Sequence, residues 1–156
     1  MDMKTYKLYH GKTLMQWGKA TRVTGAKGFV FIAGCEGQDP TLDPPNWRAG
    51  EKFAPRVVQG AEAQWRMALE KMKSRLEEAG ASLENIVHMT IYVKGPFPNG
   101  IVNSPNFRQD VLDDFFRQNC PKLCSDNNPP THDLVGVASL ALKDMVVEIG
   151  CTAAVA

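Results

Sequence analysis

An α+β fold is predicted by three features of the chain. Two segments repeat apolar residues at helical spacing, several short runs are rich in β-branched and aromatic residues, and the order reads β-β-β-α-β-α-β-β. Two amphipathic helices can cover one face of a six-stranded mixed sheet. The other apolar face then needs a cover of its own, which predicts self-association.

Thr5–Tyr9 and Thr21–Thr24 have weak strand character, and Phe29–Ala33 (FVFIA) is a strong buried strand between Gly28 and Gly34. A Gly-, Pro- and Asp-rich loop over Gln38–Lys52 follows, long enough to suggest a role of its own. From about Ala54 to Ala79 the pattern is helical. Ala61, Trp65, Ala68, Leu69, Met72, Leu76 and Ala79 make one stripe, and Gly80 ends it. Ser82–Glu84 form a turn, and Ile86–Val93 (IVHMTIYV) is a central strand that puts His88 on a sheet face. A second helix, about Phe107 to Gln118, turns Val111, Leu112, Phe115 and Phe116 inward. After a loop over Cys120–Thr131, a closing hairpin of about Asp133–Ala138 and Met145–Ala153 ends the pattern.

A length of 156 residues fits one domain spanning 1–156, and a hydrophobic share of 44% suffices for its core. The formal charge of +1, from 18 basic and 17 acidic side chains, gives no global attraction to nucleic acid. No apolar run approaches the roughly 20 residues that span a bilayer, so no membrane partner is expected. The start MDMKTYKLYHGK lacks the apolar core of a signal peptide, which favours the cytoplasm. There Cys35, Cys120, Cys124 and Cys151 are expected as reduced thiols. Cys120, Cys124 and His132 do not have the spacing of a zinc knuckle, so no metal is expected. His10–Thr13 (HGKT) has the end of a phosphate loop, but Tyr6 stands where the leading glycine belongs. No nucleotide or other cofactor is expected.

Glu148 is the only charge from Met145 to Ala156, in a run that alternates with the period of a strand. A carboxylate in such surroundings must find donors, water or a ligand.

The segment AEAQWRMALEKMKSRLEEAGASLENIVHMTIYV (61–93) resembles the middle of the YjgF/RidA family, where a Gln-containing helix leads through Leu-x-x-Ala-Gly into a Val/Thr-rich strand. FIAGC (31–35), IVNSPNF (101–107), PTHDLVGVASL (130–140) and VVEIG (146–150) resemble further family segments in the same order, from about Trp17 onward. The resemblance implies a chorismate-mutase-like fold and a homotrimer with ligand clefts between subunits. Many relatives hydrolyse reactive enamines or imines to ketones and ammonia. An arginine grips the substrate carboxylate and a glutamate handles water.

Carried onto this chain, the resemblance makes Glu148 the catalytic residue, with Gly34, Cys35, Asn103, His132 and Trp17 around the ligand. Trp17 stands about where the family has a tyrosine. Cys35 replaces the glutamine of Ser-Gly-Gln, Leu134 replaces a small residue, and His132 replaces the arginine. Chemically, one carboxylate can take the proton from attacking water and return it to the departing nitrogen. The plain alternative is that Glu148 bridges strands or subunits through hydrogen bonds. Beside Glu148, His132 is expected to be held protonated, though it cannot make arginine's bidentate fork. Asp133 is expected on the opposite strand face, outside the cleft. Trp17 and Trp47 suit a cleft wall or an interface, and Trp65 suits the core.

These features support an enamine/imine deaminase-type hydrolase acting on a small molecule. The alternative is a non-catalytic trimer that binds a metabolite or protein. RNA cleavage, reported for some relatives, is disfavoured by the near-neutral charge and by the lack of a His–His or His–Lys pair in sequence.

Overall fold

The computed structural model describes residues 1–43, 56–124 and 129–156. Among the described residues six strands and two α-helices occur in the predicted order. They are β1 (Asp2–His10), β2 (Thr13–Thr24), β3 (Gly28–Glu36), α1 (Ala61–Glu78), β4 (Ile86–Lys94), α2 (Gln109–Asn119), β5 (Thr131–Val137) and β6 (Val147–Val155). Trp47, most of the predicted loop 38–52 and part of the loop 120–131 lie outside the described residues.

The strands form two sheets, not the one six-stranded sheet expected. β1 pairs with β2, while the other four run β3-β6-β4-β5, with β4 and β5 parallel and the remaining pairs antiparallel. A backbone hydrogen bond of 3.3 Å, from Gly18 N–H to the Pro130 carbonyl, ties the β1–β2 hairpin to the start of β5. Only glycine fits there. A Cβ at Gly18 would run into Thr5 Cγ2 and stand 2.9 Å from the Pro129 carbonyl oxygen.

The predicted closing hairpin is also corrected. β5 and β6 are not partners, because β4 lies between them and pairs with both. The physical reason is twofold. The connection from β5 to β6 is too long for a tight hairpin, and β4 between them has its backbone N–H and C=O groups paired on both edges.

α1 begins at Ala61, later than predicted, after Gly60 at φ +90°. It buries Trp65, Ala68, Leu69, Met72 and Leu76, packs on β3 and β6, and receives α2 against it. Val111, Leu112, Phe115 and Phe116 of α2 are buried as expected. Trp65 is sealed in the core, its indole N–H donating to the Asn106 carbonyl at 2.7 Å. Ala79 is exposed, and Gln64 takes a buried place instead. The Gln64 amide nitrogen donates to the carbonyls of Val58 (3.0 Å) and Asp144 (2.9 Å), and its oxygen accepts from Val146 N–H (2.9 Å). One side chain thus clamps the chain entering α1 to the chain entering β6.

Among the described residues no helix lies over the opposite sheet face. Phe31 is 76% exposed, Phe29 55% and Tyr92 37%. On the physics of apolar burial, such a face calls for a cover.

Candidate functional site

β6 alternates as its sequence implies. Val147, Ile149, Cys151 and Ala153 are buried toward α1, while Glu148, Gly150 and Thr152 turn to the open face. In β4, Met89, Ile91 and Val93 face the core, and His88, Thr90 and Tyr92 join Glu148 above the sheet. Together with Phe31 and Gly34 these side chains border a depression of about 350 Å³. Among the described residues no group hydrogen-bonds the Glu148 carboxylate. The bridging alternative therefore has no partner among the described residues.

Gly34 and Cys35 were expected at the site together, but neighbours in a strand take opposite faces, and a β-bulge decides which of the two meets the site. Ile32 pairs with Cys151 and Cys35 pairs with Ile149, so β3 carries one extra residue between these pairs. The extra residue turns Gly34 to the open face, directly beneath Glu148. A Cβ at Gly34 would stand 2.5 Å from Glu148 Cδ and 2.7 Å from Cγ, and closer still to Oε1. Cys35 is turned the other way into the core with 0% exposure, its thiol 3.4 Å from the Ala33 carbonyl and 3.3 Å from an Arg75 guanidinium nitrogen. Cys35 is therefore sealed off from the depression above the sheet, which corrects its expected role.

His132 also stands elsewhere than expected. It pairs with Met89 across β4, three residues along from the Tyr92–Glu148 pair and one strand further out. Two strand spacings and three residues make roughly 14 Å between the backbones of His132 and Glu148. Their side chains also leave opposite sheet faces. His132 instead meets Trp17 of β2, ring centroids 5.6 Å apart, in the seam between the hairpin and β5. With no carboxylate of Glu148 beside it, its protonated form is not favoured. Burial lowers its pKa to about 4, aided by the field of His88 and opposed by Asp133. The expectation of a protonated histidine is thus reversed, and His132 is neutral at pH 7.

Two clefts flank this seam. One, of about 260 Å³, has Trp17, Val102, Phe107, His132 and Leu134 on its walls. The other, of about 500 Å³, lies toward the open face and includes Lys19, His88, Thr131 and Asp133 as well as Trp17 and His132. Asp133 borders both, contrary to expectation, and stands 3.4 Å from His88 Nε2. The Thr131 hydroxyl donates to the Val87 carbonyl at 2.8 Å, so at 3.0 Å it accepts from His88 Nδ1–H. His88 thereby joins the Glu148 depression to the seam, and two histidines share one cleft despite their distance in sequence. The alternation His88, Thr90, Tyr92 was a legible signal for this polar row. Asn103 is exposed in the short 3-10 turn beside Val102, where its amide donates to the Asn99 carbonyl at 2.7 Å.

The HGKT run forms the β1–β2 turn, with Gly11 at φ +60°. Among the described residues no cluster of three or more histidines, cysteines or carboxylates could hold a metal ion. Among the described residues no cysteine forms a disulfide and all four are buried, and burial, with the field of Cys35, pushes the Cys151 thiol up to about 12. No helix among the described residues is long and apolar enough to cross a membrane.

A family model described as endoribonuclease L-PSP matches residues 12–155. No curated protein matches. Among solved structures, the chain is similar to the Rid-family protein YyfB of Yersinia pestis, whose function is unknown. That similarity has 19% identity, a TM-score of 0.67 and coverage of 99% of this chain and 100% of that one. It is also similar to Escherichia coli TdcF, solved with bound serine, at 20% identity and TM-score 0.56, covering 97% of this chain and 94% of that one. RidA of an Antarctic Psychrobacter matches at 22% identity and TM-score 0.56, over 97% and 94% of the two chains. At these identities the structures speak for the fold alone, whereas the family model spans nearly the whole chain. The chain belongs to the YjgF/Rid family, which the matching model describes as endoribonuclease L-PSP.

Proposed function

We propose that this protein is a hydrolase of the enamine/imine deaminase type, working as a homotrimer. Glu148 of one copy handles water, and the Trp17–His132 cleft of the next copy holds a small ligand, with Asn103 at its rim. The observation that carries this reading is the Glu148 carboxylate, seated on Gly34 with no hydrogen-bonding partner among the described residues. A carboxylate left open in an otherwise apolar strand is available to water and to a protonatable nitrogen. Within one chain it lies too far from His132 for both to touch one small molecule. A second copy laid over the exposed Phe29, Phe31 and Tyr92 would cover the apolar face and bring the two halves together.

The test is ammonia release from a panel of freshly generated imines and enamines, with and without a carboxylate. Acceleration that Glu148→Gln abolishes is the expected result. No acceleration of any member would sink the proposal.

A second reading, a trimer that binds a metabolite without turning it over, is favoured by one observation. The residue in the arginine position is neutral at pH 7, and so lacks the family's means of gripping a carboxylate. Saturable ligand binding with no turnover of the panel would select it. RNA cleavage gains a His88–His132 cleft that the sequence did not suggest, but the neutral His132 and the charge of +1 give little hold on phosphates. Absence of RNA binding at low salt would remove that reading.

A further inference from the structure

The smaller seam cleft, of about 260 Å³, carries information about its ligand that the family's usual chemistry does not supply. Its walls are Trp17, Val102, Phe107 and Leu134, which offer apolar and aromatic surface. Its volume exceeds the roughly 150 Å³ of an apolar cavity that takes up benzene, so one ring and a short substituent fit. Among the described residues the only charged side chain bordering it is a carboxylate, Asp133. Its polar groups are His132, Gln16 and Gln109, and the Gln109 amide nitrogen is already engaged with Asp113 at 3.0 Å. The His132 ring nitrogens are hydrogen-bonded to nothing among the described residues, although the ring is packed against Trp17.

A neutral imidazole has one N–H donor and one acceptor nitrogen. Whichever nitrogen faces the cleft, a carboxamide or an N–H imine can match it, since each offers both an acceptor and an N–H. A carboxylate offers acceptors only. It cannot match the imidazole's acceptor nitrogen, would face Asp133, and would lose its hydration against aromatic walls.

We propose that this cleft selects an uncharged, ring-sized ligand with an amide- or imine-type edge and discriminates against small carboxylates. Trp17 and Phe107 take the ring, and His132 reads the edge. The proposal rests on the hydrolase reading for its consequence, that the substrate is an aromatic imine without a carboxylate. Equilibrium binding tests it without turnover, so the two can fail separately.

Benzamide and benzoate differ in little but charge and the N–H edge. Calorimetric titration of the full chain at pH 7 with each is expected to show benzamide bound at least about tenfold more tightly, a difference of about 1.4 kcal/mol. Trp17→Ala should abolish benzamide binding, which locates the site. His132→Arg should reverse the preference by supplying the bidentate cation. Should that variant fail to fold, Gln109→Arg at the same cleft should raise benzoate affinity at least about fivefold through its charge. Benzoate binding as tight as benzamide, benzamide binding unchanged in Trp17→Ala, or no saturable benzamide binding up to solubility would each overturn the proposal.

Discussion

Replacing Gly34 by alanine perturbs one atom position in the candidate site and almost nothing else. The added Cβ would stand 2.5 Å from Glu148 Cδ, whereas ordinary contact begins near 3.4 Å. The carboxyl group must therefore move by about 1 Å, a misplacement that can lower a rate about a hundredfold. Gly34 is not in the left-handed region, so alanine meets no backbone strain there. Its entropic gain of about 0.4–1 kcal/mol from the unfolded chain opposes a rotamer cost at Glu148 of about 0.5–1.5 kcal/mol. Net stability should stay within about 1 kcal/mol of the parent by these two terms. Urea unfolding and ammonia release, measured on the same preparation, give both numbers. A stable variant with at least a third of parental turnover would refute the idea that Gly34 seats a working Glu148. A loss of more than about 3 kcal/mol would instead make Gly34 a structural residue.

Three further outcomes follow from groups whose surroundings are fixed in the fold. His132 has a folded pKa of about 4, below its unfolded value near 6.5, so between these pH values the unfolded chain binds a proton that the folded chain refuses. Its contribution is complete above pH 6.5 and is lost as pH falls to about 4, by about 3 kcal/mol at most at about 1.4 kcal/mol per unit. Urea midpoints at pH 7 and pH 4.5 should therefore differ less in His132→Gln than in the parent, and equal pH sensitivity would contradict the cause assigned. Gln64→Leu strips the carbonyls of Val58 and Asp144 and the N–H of Val146 of their partner, and should cost about 2–4 kcal/mol in urea unfolding. A cost under about 1 kcal/mol would mean that the clamp is not stabilising. Cys151, with its thiol raised to about 12 by burial, should resist iodoacetamide at pH 8 in the native protein and react once unfolded, as peptide mapping will report.

The helices were legible in the sequence because their period is local. Trp65 to Leu76 and Val111 to Phe116 announce buried stripes whatever lies opposite them. Gln64 was legible only as a shared feature of the resembling helix and not as a buried clamp, since two of its three backbone partners are remote in sequence. The site was legible in parts. Glu148 stands out as a lone charge in an apolar strand, and alternation puts it on the face away from α1. Cys35 was misplaced because the parity of β3 is reset by a bulge, whose one local sign in FVFIAGCE is Gly34 inside the strand. His132 was misjudged for a similar reason. A hairpin between β5 and β6 would have made it a neighbour of Glu148, but the intervening β4 sets the register of each strand independently. Such long-range pairing determines which side chains share a cleft, and a single sequence does not encode it locally.

Co-assembly of two inactive variants tests the shared site most directly. One carries Glu148→Gln, the other Trp17→Ala together with His132→Ala, and equal amounts are unfolded, mixed and refolded. If Glu148 of one copy serves the seam cleft of its neighbour, random mixing in a closed ring restores an intact site at about a quarter of the interfaces. The mixture as a whole should then recover about a quarter of parental turnover, while each variant refolded alone recovers none. A mixture as inactive as its components, or a parent that turns over as a monomer, would contradict a site divided between two copies.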